Sequence, residues 1–201
     1  MDQQDSAARV AGVVLAAGAG TRLGQPKALL RVGDELLLDR AVRTLRRAGC
    51  APVVVVLGAR AEDAAAAVDG TGIEVVTNDE WATGMGSSLR VGLESLPGRA
   101  DAAVVALVDQ PGVTAATVER LVAAWRADGR AAVATYGGAP RNPVLLPAGT
   151  WVQVAASAVG DRGARAWLRA HPGQVSEVAC DDVGSADDID TPADLRRFTT
   201  G

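Results

Sequence analysis

The sequence predicts an α/β fold in three layers, with a mostly parallel central sheet between two sets of helices. Two observations carry this. Short continuous apolar runs of strand length alternate with longer stretches patterned at helical spacing through two thirds of the chain, and such alternation builds right-handed β-α-β units. The first apolar run also empties directly into a glycine-rich loop. In open sheets of this kind, ligands sit at the carboxyl ends of the strands.

Each element has its own signal. Residues 10–16 read as a buried strand, an unbroken apolar run stopped by glycines. Residues 36–48 read as a helix, with leucines and Val42 at helical spacing, arginines on the other face and Gly49 as the stop. Residues 53–57 form the second strand, 61–68 an alanine-rich helix and 73–77 the third strand. A helix over 86–96 has its start marked by Ser87 and Ser88. The strand at 102–108 ends at Asp109-Gln110-Pro111. Val118, Leu121, Val122 and Trp125, at i, i+3, i+4 and i+7, mark a helix over 114–127, and a strand follows at 131–136. Beyond Pro140 the rhythm loosens: a strand at 142–146, helices at 151–158 and 163–170, a strand at 174–179 and a last helix at 192–198. Residues 1–201 are expected to form one domain, with 1–9 disordered and about 140–190 a substrate-facing extension.

Composition narrows the class of partner. A net charge of -4 leaves no basic excess for a nucleic-acid backbone, and 3% aromatic residues make no base-stacking platform, so no nucleic acid is expected. No apolar run approaches the roughly 18 residues of a membrane span. The start Met1-Asp2-Gln3 lacks a basic, apolar leader, so a cytoplasmic protein with no membrane partner is expected. Cys50 and Cys180 lack partners at metal-ligand spacing and read as buried free thiols. The sole histidine, His171, precedes Pro172 at a helix end, where it caps carbonyls or is solvated. Trp125, Trp151 and Trp167 fall in helical patterns and read as core.

Lys27 is the chain's single lysine, against 19 arginines, and it closes the loop that begins at Gly18. An ammonium is a compact point charge suited to polyphosphate, whereas a guanidinium forks across one planar oxyanion. The loop fails two familiar phosphate patterns: a dinucleotide fingerprint starting at Gly18 meets Leu23 at its sixth position, and no Gly-Lys-Ser/Thr run is present. Gly18, Gly20 and Gly24 nonetheless let backbone N–H groups approach phosphate oxygens, with Arg22 and Lys27 flanking the path.

Leu15-Ala16-Ala17-Gly18-x-Gly20-Thr21-Arg22-x-Gly24-x-x-Lys27 resembles the signature loop of the nucleotidyltransferases, within them the MobA-like branch, and especially molybdenum cofactor cytidylyltransferase. Asn78-x-x-Trp81-x-x-Gly84-Met85-Gly86-Ser87-Ser88-Leu89, Asp109-Gln110-Pro111, Gly160-Asp161-x-Gly163-Ala164-Arg165 and Asp188-Ile189-Asp190-Thr191-Pro192 resemble that branch's later motifs in the same order. The resemblance implies a Rossmann-like three-layer α-β-α nucleotidyltransferase fold. It implies nucleotide binding by Leu15, Ala16, Ala17, Gly18, Gly20, Thr21, Arg22, Lys27, Asn78, Gly84, Ser87 and Ser88, with Arg22, Lys27 and Asp109 as catalytic residues. Mg2+ is the implied cofactor, on Asp109 and on one of Asp188 and Asp190, with Asp190 preferred. Thr191-Pro192 also reads as an ordinary helix start. The Ala17 version of the loop favours CTP over GTP.

A molybdopterin-type acceptor is implied, with Asn142 and Arg165 as candidate contacts and a molybdoenzyme or its chaperone as a protein partner. Here the sequence departs from the branch, which often carries Gly-His-Pro where Arg141-Asn142-Pro143 stands and a glycine where Val108 stands. Arg165 reads equally as a solvated helix arginine. The expected chemistry needs no general base, because a phosphate monoester is already ionised near neutral pH. The triphosphate is expected between Lys27 on one side and a carboxylate-held divalent ion on the other. Two other readings stand beside it: an NAD(P)H-dependent oxidoreductase of the nicotine blue oxidoreductase type, and a non-catalytic carrier that delivers molybdenum cofactor.

Overall fold

The computed structural model describes residues 8–199. The expected disorder at 1–9 falls mostly on residues 1–7, outside the described residues. Along the chain come β1 (Val10–Leu15), the short strands β2 (Arg31–Val32) and β3 (Glu35–Leu36), α1 (Leu37–Arg47), β4 (Val53–Leu57), α2 (Ala61–Ala67), β5 (Glu74–Thr77) and α3 (Met85–Glu94). They are followed by β6 (Ala102–Leu107), α4 (Ala115–Asp128), β7 (Ala131–Tyr136), β8 (Ala139–Pro147), α5 (Trp151–Ser157), α6 (Arg165–Ala170), β9 (Val175–Ala179) and α7 (Pro192–Thr199).

Seven strands form one sheet in the order β5-β4-β1-β6-β8-β7-β9. All pairings are parallel except those of β8, which runs antiparallel to β6 and to β7. The reversal follows from Gly137 and Gly138, both at positive φ (57° and 73°), which join Tyr136 to Ala139 in a two-residue hairpin turn. The strand expected at 142–146 therefore starts earlier, at Ala139. The hairpin β2–β3, too short to show a period, was not expected.

Both sheet faces are covered, so the central strands are apolar throughout. Val14 and Val55 face a core built with Leu37, Leu45, Val118 and Leu121, while Val13 and Val56 face a second core with Leu89, Leu93, Trp151 and Trp167. The three expected core tryptophans are buried, as are the free thiols Cys50 and Cys180. Burial pushes the Cys50 thiol up to about 12. His171 ends α6, its Nδ1 2.9 Å from the Trp167 carbonyl and its ring stacked on that indole. No helix among the described residues is long and apolar enough to cross a membrane.

Candidate active site

β1 and β6 are parallel neighbours, with Leu15 opposite Leu107, so the loops that leave their carboxyl ends emerge side by side. The first of these folds tightly on itself. Gly20 adopts φ 60°, and a Cβ there would lie 2.0 Å from the Gln25 carbonyl oxygen, so only glycine permits the closure. A single 3-10 turn over Thr21–Leu23 ends at Gly24, and a second, Lys27–Leu29, starts after Pro26. Gly18 is open: a Cβ there meets nothing within 4 Å.

A pocket of about 550 Å³ lies over these loops. Leu15, Ala17, Gly18, Gly20, Thr21, Arg22 and Lys27 line it from the end of β1 and the first loop, Asp109 and Asp190 from beside Lys27, and Gly84 and Ser88 from the start of α3. Lys27 Nζ donates to Asp109 Oδ2 at 2.6 Å and to Asp190 Oδ1 at 2.5 Å. The expectation had the ammonium across a triphosphate from the carboxylates; the structure instead joins them. Burial pushes the Lys27 ammonium down, but the Asp109 charge and the hydrogen bonds to both aspartates outweigh it and hold it above the ordinary lysine value.

Asp190 reaches this point through a zipper between two loops. Ile189 N donates to Asp109 O at 2.9 Å, Ser185 N to Gly112 O at 3.0 Å, and Gln110 Nε2 to Asp188 Oδ1 at 2.9 Å, while the Ile189 side chain is fully buried. Of the two candidate carboxylates, Asp190 faces Lys27 and the pocket while Asp188 turns to Gln110. Burial raises the Asp188 carboxyl above its ordinary range, opposed by the Gln110 hydrogen bond and reinforced by the Asp109 and Asp190 charges. The expected helix start follows: Asp194 Oδ2 accepts from Thr191 N at 2.8 Å and Thr191 Oγ1 at 2.7 Å, and Asp194 N donates back to Thr191 Oγ1 at 3.2 Å.

The opposite wall corrects several expectations. α3 starts at Met85 with Gly84 as its cap residue, so Ser87 and Ser88 lie inside the first turn instead of marking its start. Asn78 is 2% exposed and donates to Ser87 Oγ at 2.8 Å and Ser88 Oγ at 3.0 Å; neither Asn78 nor Ser87 lines the pocket. They tie the end of β5 to α3, and Ser88 alone of the three presents itself to a ligand. Ala16 is buried behind the wall. Asn142, on β8, and Arg165, exposed at the start of α6, also lie outside the pocket, and of the section 140–190 only Asp161 and Asp190 line it. Asp161 is a residue the sequence argument passed over: its Oδ1 accepts from Met85 N at 3.3 Å at the positive end of α3. Its signal was Gly160-Asp161-x-Gly163, whose glycines allow the turn. Trp81 and Met85 complete that wall.

No group of three or more carboxylate, histidine or cysteine side chains among the described residues could hold a metal, so a divalent cation here would have Asp109 and Asp190 alone from the protein. Two carboxylate oxygens already converge on one ammonium, which stands in for a cation, and magnesium ordinarily takes one or two carboxylates with phosphate oxygens and waters for the remainder.

The MobA-like NTP transferase domain family matches residues 12–175. Nicotine blue oxidoreductase of Paenarthrobacter nicotinovorans is 40% identical over 94% of this chain and 96% of its own length. A probable molybdenum cofactor guanylyltransferase of Opitutus terrae is 51% identical over 25% of each chain. Among solved structures, Rv0371c of Mycobacterium tuberculosis H37Rv superposes with a TM-score of 0.82 at 34% identity over 98% of this chain and 100% of that one, and its complex with manganese with 0.77 at 33% over 95% and 98%. A glycine loop and an aspartate on adjacent parallel strands, in a chain matched over most of its length, carry one conclusion: this protein belongs to the MobA-like NTP transferase domain family.

Proposed function

We propose that this protein transfers CMP from CTP to the terminal phosphate of molybdopterin or its molybdenum-loaded form. The observation that supports it most is the meeting of the glycine loop, the only lysine and two carboxylates around one pocket. An acceptor phosphate oxygen attacks the α-phosphorus of the nucleotide, the bond from that phosphorus to the bridging oxygen of the β-phosphate breaks, and pyrophosphate leaves with the electron pair. The acceptor is ionised already, so no side chain has to remove a proton. The main obstacle is charge: like unit charges about 4 Å apart repel by about 4 kcal/mol at an effective dielectric of about 20.

Arg22 and Lys27 offset that repulsion, and the backbone N–H groups beside Gly18 and Gly20 orient the phosphates. Asp109 and Asp190 would hold Mg2+, which when bound would neutralise phosphate charge. The Ala17 version of the loop favours cytosine; the short match to a guanylyltransferase makes GTP the competitor to test. The experiment is incubation with magnesium, molybdopterin and each nucleoside triphosphate in turn, following pyrophosphate. Release with CTP above all others is the expected result, and no release with any of them overturns the reading.

A second reading has its own observation, the full-length match to nicotine blue oxidoreductase. On that reading the same pocket takes an NAD(P)H-dependent reduction. The absence of a dinucleotide fingerprint at Gly18 weighs against it. NAD(P)H oxidation without CTP or magnesium distinguishes it. A carrier that only delivers molybdenum cofactor would have no need of Asp109, so full delivery by Asp109→Ala would favour that third reading.

A further inference from the structure

Lys27 is bonded to one oxygen of each carboxylate assigned to the metal, so an ammonium there competes with and repels a divalent cation brought to the same pair. We propose that Lys27 is the resident counter-ion of the Asp109–Asp190 site, so that the site rejects a bare divalent cation and admits one only together with a polyphosphate, whose oxygens take over the ammonium. The inference rests on the metal reading above and assigns the site its selectivity for a metal–nucleotide complex.

Three observations carry it. Lys27 Nζ lies 2.6 Å from Asp109 Oδ2 and 2.5 Å from Asp190 Oδ1, so the positive charge already stands where a metal on these two carboxylates would carry its own. The backbone under it is fixed, since Ala28 is 1% exposed and Leu30 N donates to Lys27 O at 3.1 Å, so exchange of partners is left to the four-carbon stem. The same side chain borders the pocket next to Thr21 and Arg22, where phosphate oxygens would lie, so a rotation moves the ammonium from carboxylate to phosphate. The usage of lysine agrees: a flexible point charge can let go, whereas a guanidinium holding carboxylates bidentately is harder to displace, and this is the one place where the chain departs from arginine.

Because coupling between sites is reciprocal, bare metal competes with the ammonium while nucleotide and metal assist each other, and such couplings are typically about 5- to 150-fold. The test is Mn2+ binding to the full chain without nucleotide, read from the loss of the free-ion paramagnetic resonance signal, in wild type, Lys27→Met and Lys27→Arg. Lys27→Met should bind Mn2+ at least about tenfold tighter than wild type, and Lys27→Arg no tighter. Equal binding by wild type and Lys27→Met overturns the inference and leaves the metal site standing; no binding in any variant, with or without α,β-methylene-CTP, overturns both. A second measurement needs no variant. With lysine labelled at its ε-carbon, wild type shows one nuclear resonance, which should stay in place with Mg2+ alone and shift with Mg2+ plus α,β-methylene-CTP. A signal that moves equally with Mg2+ alone, or that the complex leaves unmoved, overturns the inference.

Discussion

Gly18 lies in the loop after β1 and Gly86 in the first turn of α3, and a Cβ added at Gly18 meets nothing within 4 Å while one at Gly86 would lie 2.5 Å from the Ala158 carbonyl oxygen. Gly84 resembles Gly86: its φ is 114°, and a Cβ would lie 2.5 Å from the Gly160 carbonyl carbon. The glycines at the start of α3 serve close packing of the 158–161 loop on the helix end, whereas Gly18 stands in open space at the edge of the pocket. Gly18 and Gly86 thus do different physical work, and so does Gly20 within the same loop as Gly18, where a Cβ would meet the Gln25 carbonyl; only the neighbours tell them apart.

The largest expected effect lies in the open loop. Lys27→Ala or Asp109→Ala should lower pyrophosphate release by roughly 10²-fold or more, by analogy with removal of one transition-state donor. Unchanged turnover in both would place the chemistry elsewhere. In the packed loop the loss should appear as stability instead: Gly84→Ala, strained at positive φ and pressed against backbone, should cost about 2–4 kcal/mol. That corresponds to a Tm lower by roughly 5–15 °C for a chain of this size. Gly18→Ala should do the reverse, leaving stability within about 0.5 kcal/mol while raising the KM for the nucleotide. A Tm that falls in Gly18→Ala as far as in Gly84→Ala would erase the distinction between the loops.

The smallest effect concerns the cap that orders the chain just after Asp190. Hydrogen bonds from the Thr191 side chain, with Arg197, hold the Asp194 carboxyl down at about 2, below its usual 3.8. A group depressed in the folded state stabilises above its unfolded value and loses that contribution as pH falls through the folded one. The stability difference between wild type and Asp194→Asn should therefore be constant above about pH 4 and shrink toward about pH 2. Urea midpoints measured across that window check it; a difference that persists at the acid end would mean the cap acts through something other than charge.

Much of the fold was legible in the sequence because strands and helices announce themselves locally. The runs at 53–57 and 131–136 match β4 and β7 residue for residue, and the Val118-to-Trp125 stripe is the buried face of α4. The course of β8 was less legible, because an antiparallel strand inside a parallel sheet is decided by the two-glycine turn before it and by its partners, not by its own pattern. In the site, Lys27 stood out by residue type and Asp109 by its place at the end of an apolar strand. Asn78 and Ser87 were expected to meet the nucleotide but satisfy each other, a distinction that hydrogen-bond partners make and spacing does not. Asp161 was passed over because an exposed aspartate in a turn looks the same whether or not a helix end lies opposite.

By itself the sequence determined the alternation of strands and helices, the glycine-rich loop after the first strand and the family motifs, since these depend on periodicity and on residue type within a few positions. Tertiary structure alone decided that Asp190 meets Asp109 and that one ammonium lies between them. That meeting depends on Ile189 burying itself beside the end of β6 and on the backbone zipper around it. Contacts between residues so far apart in the chain are chosen by the packing of the whole domain.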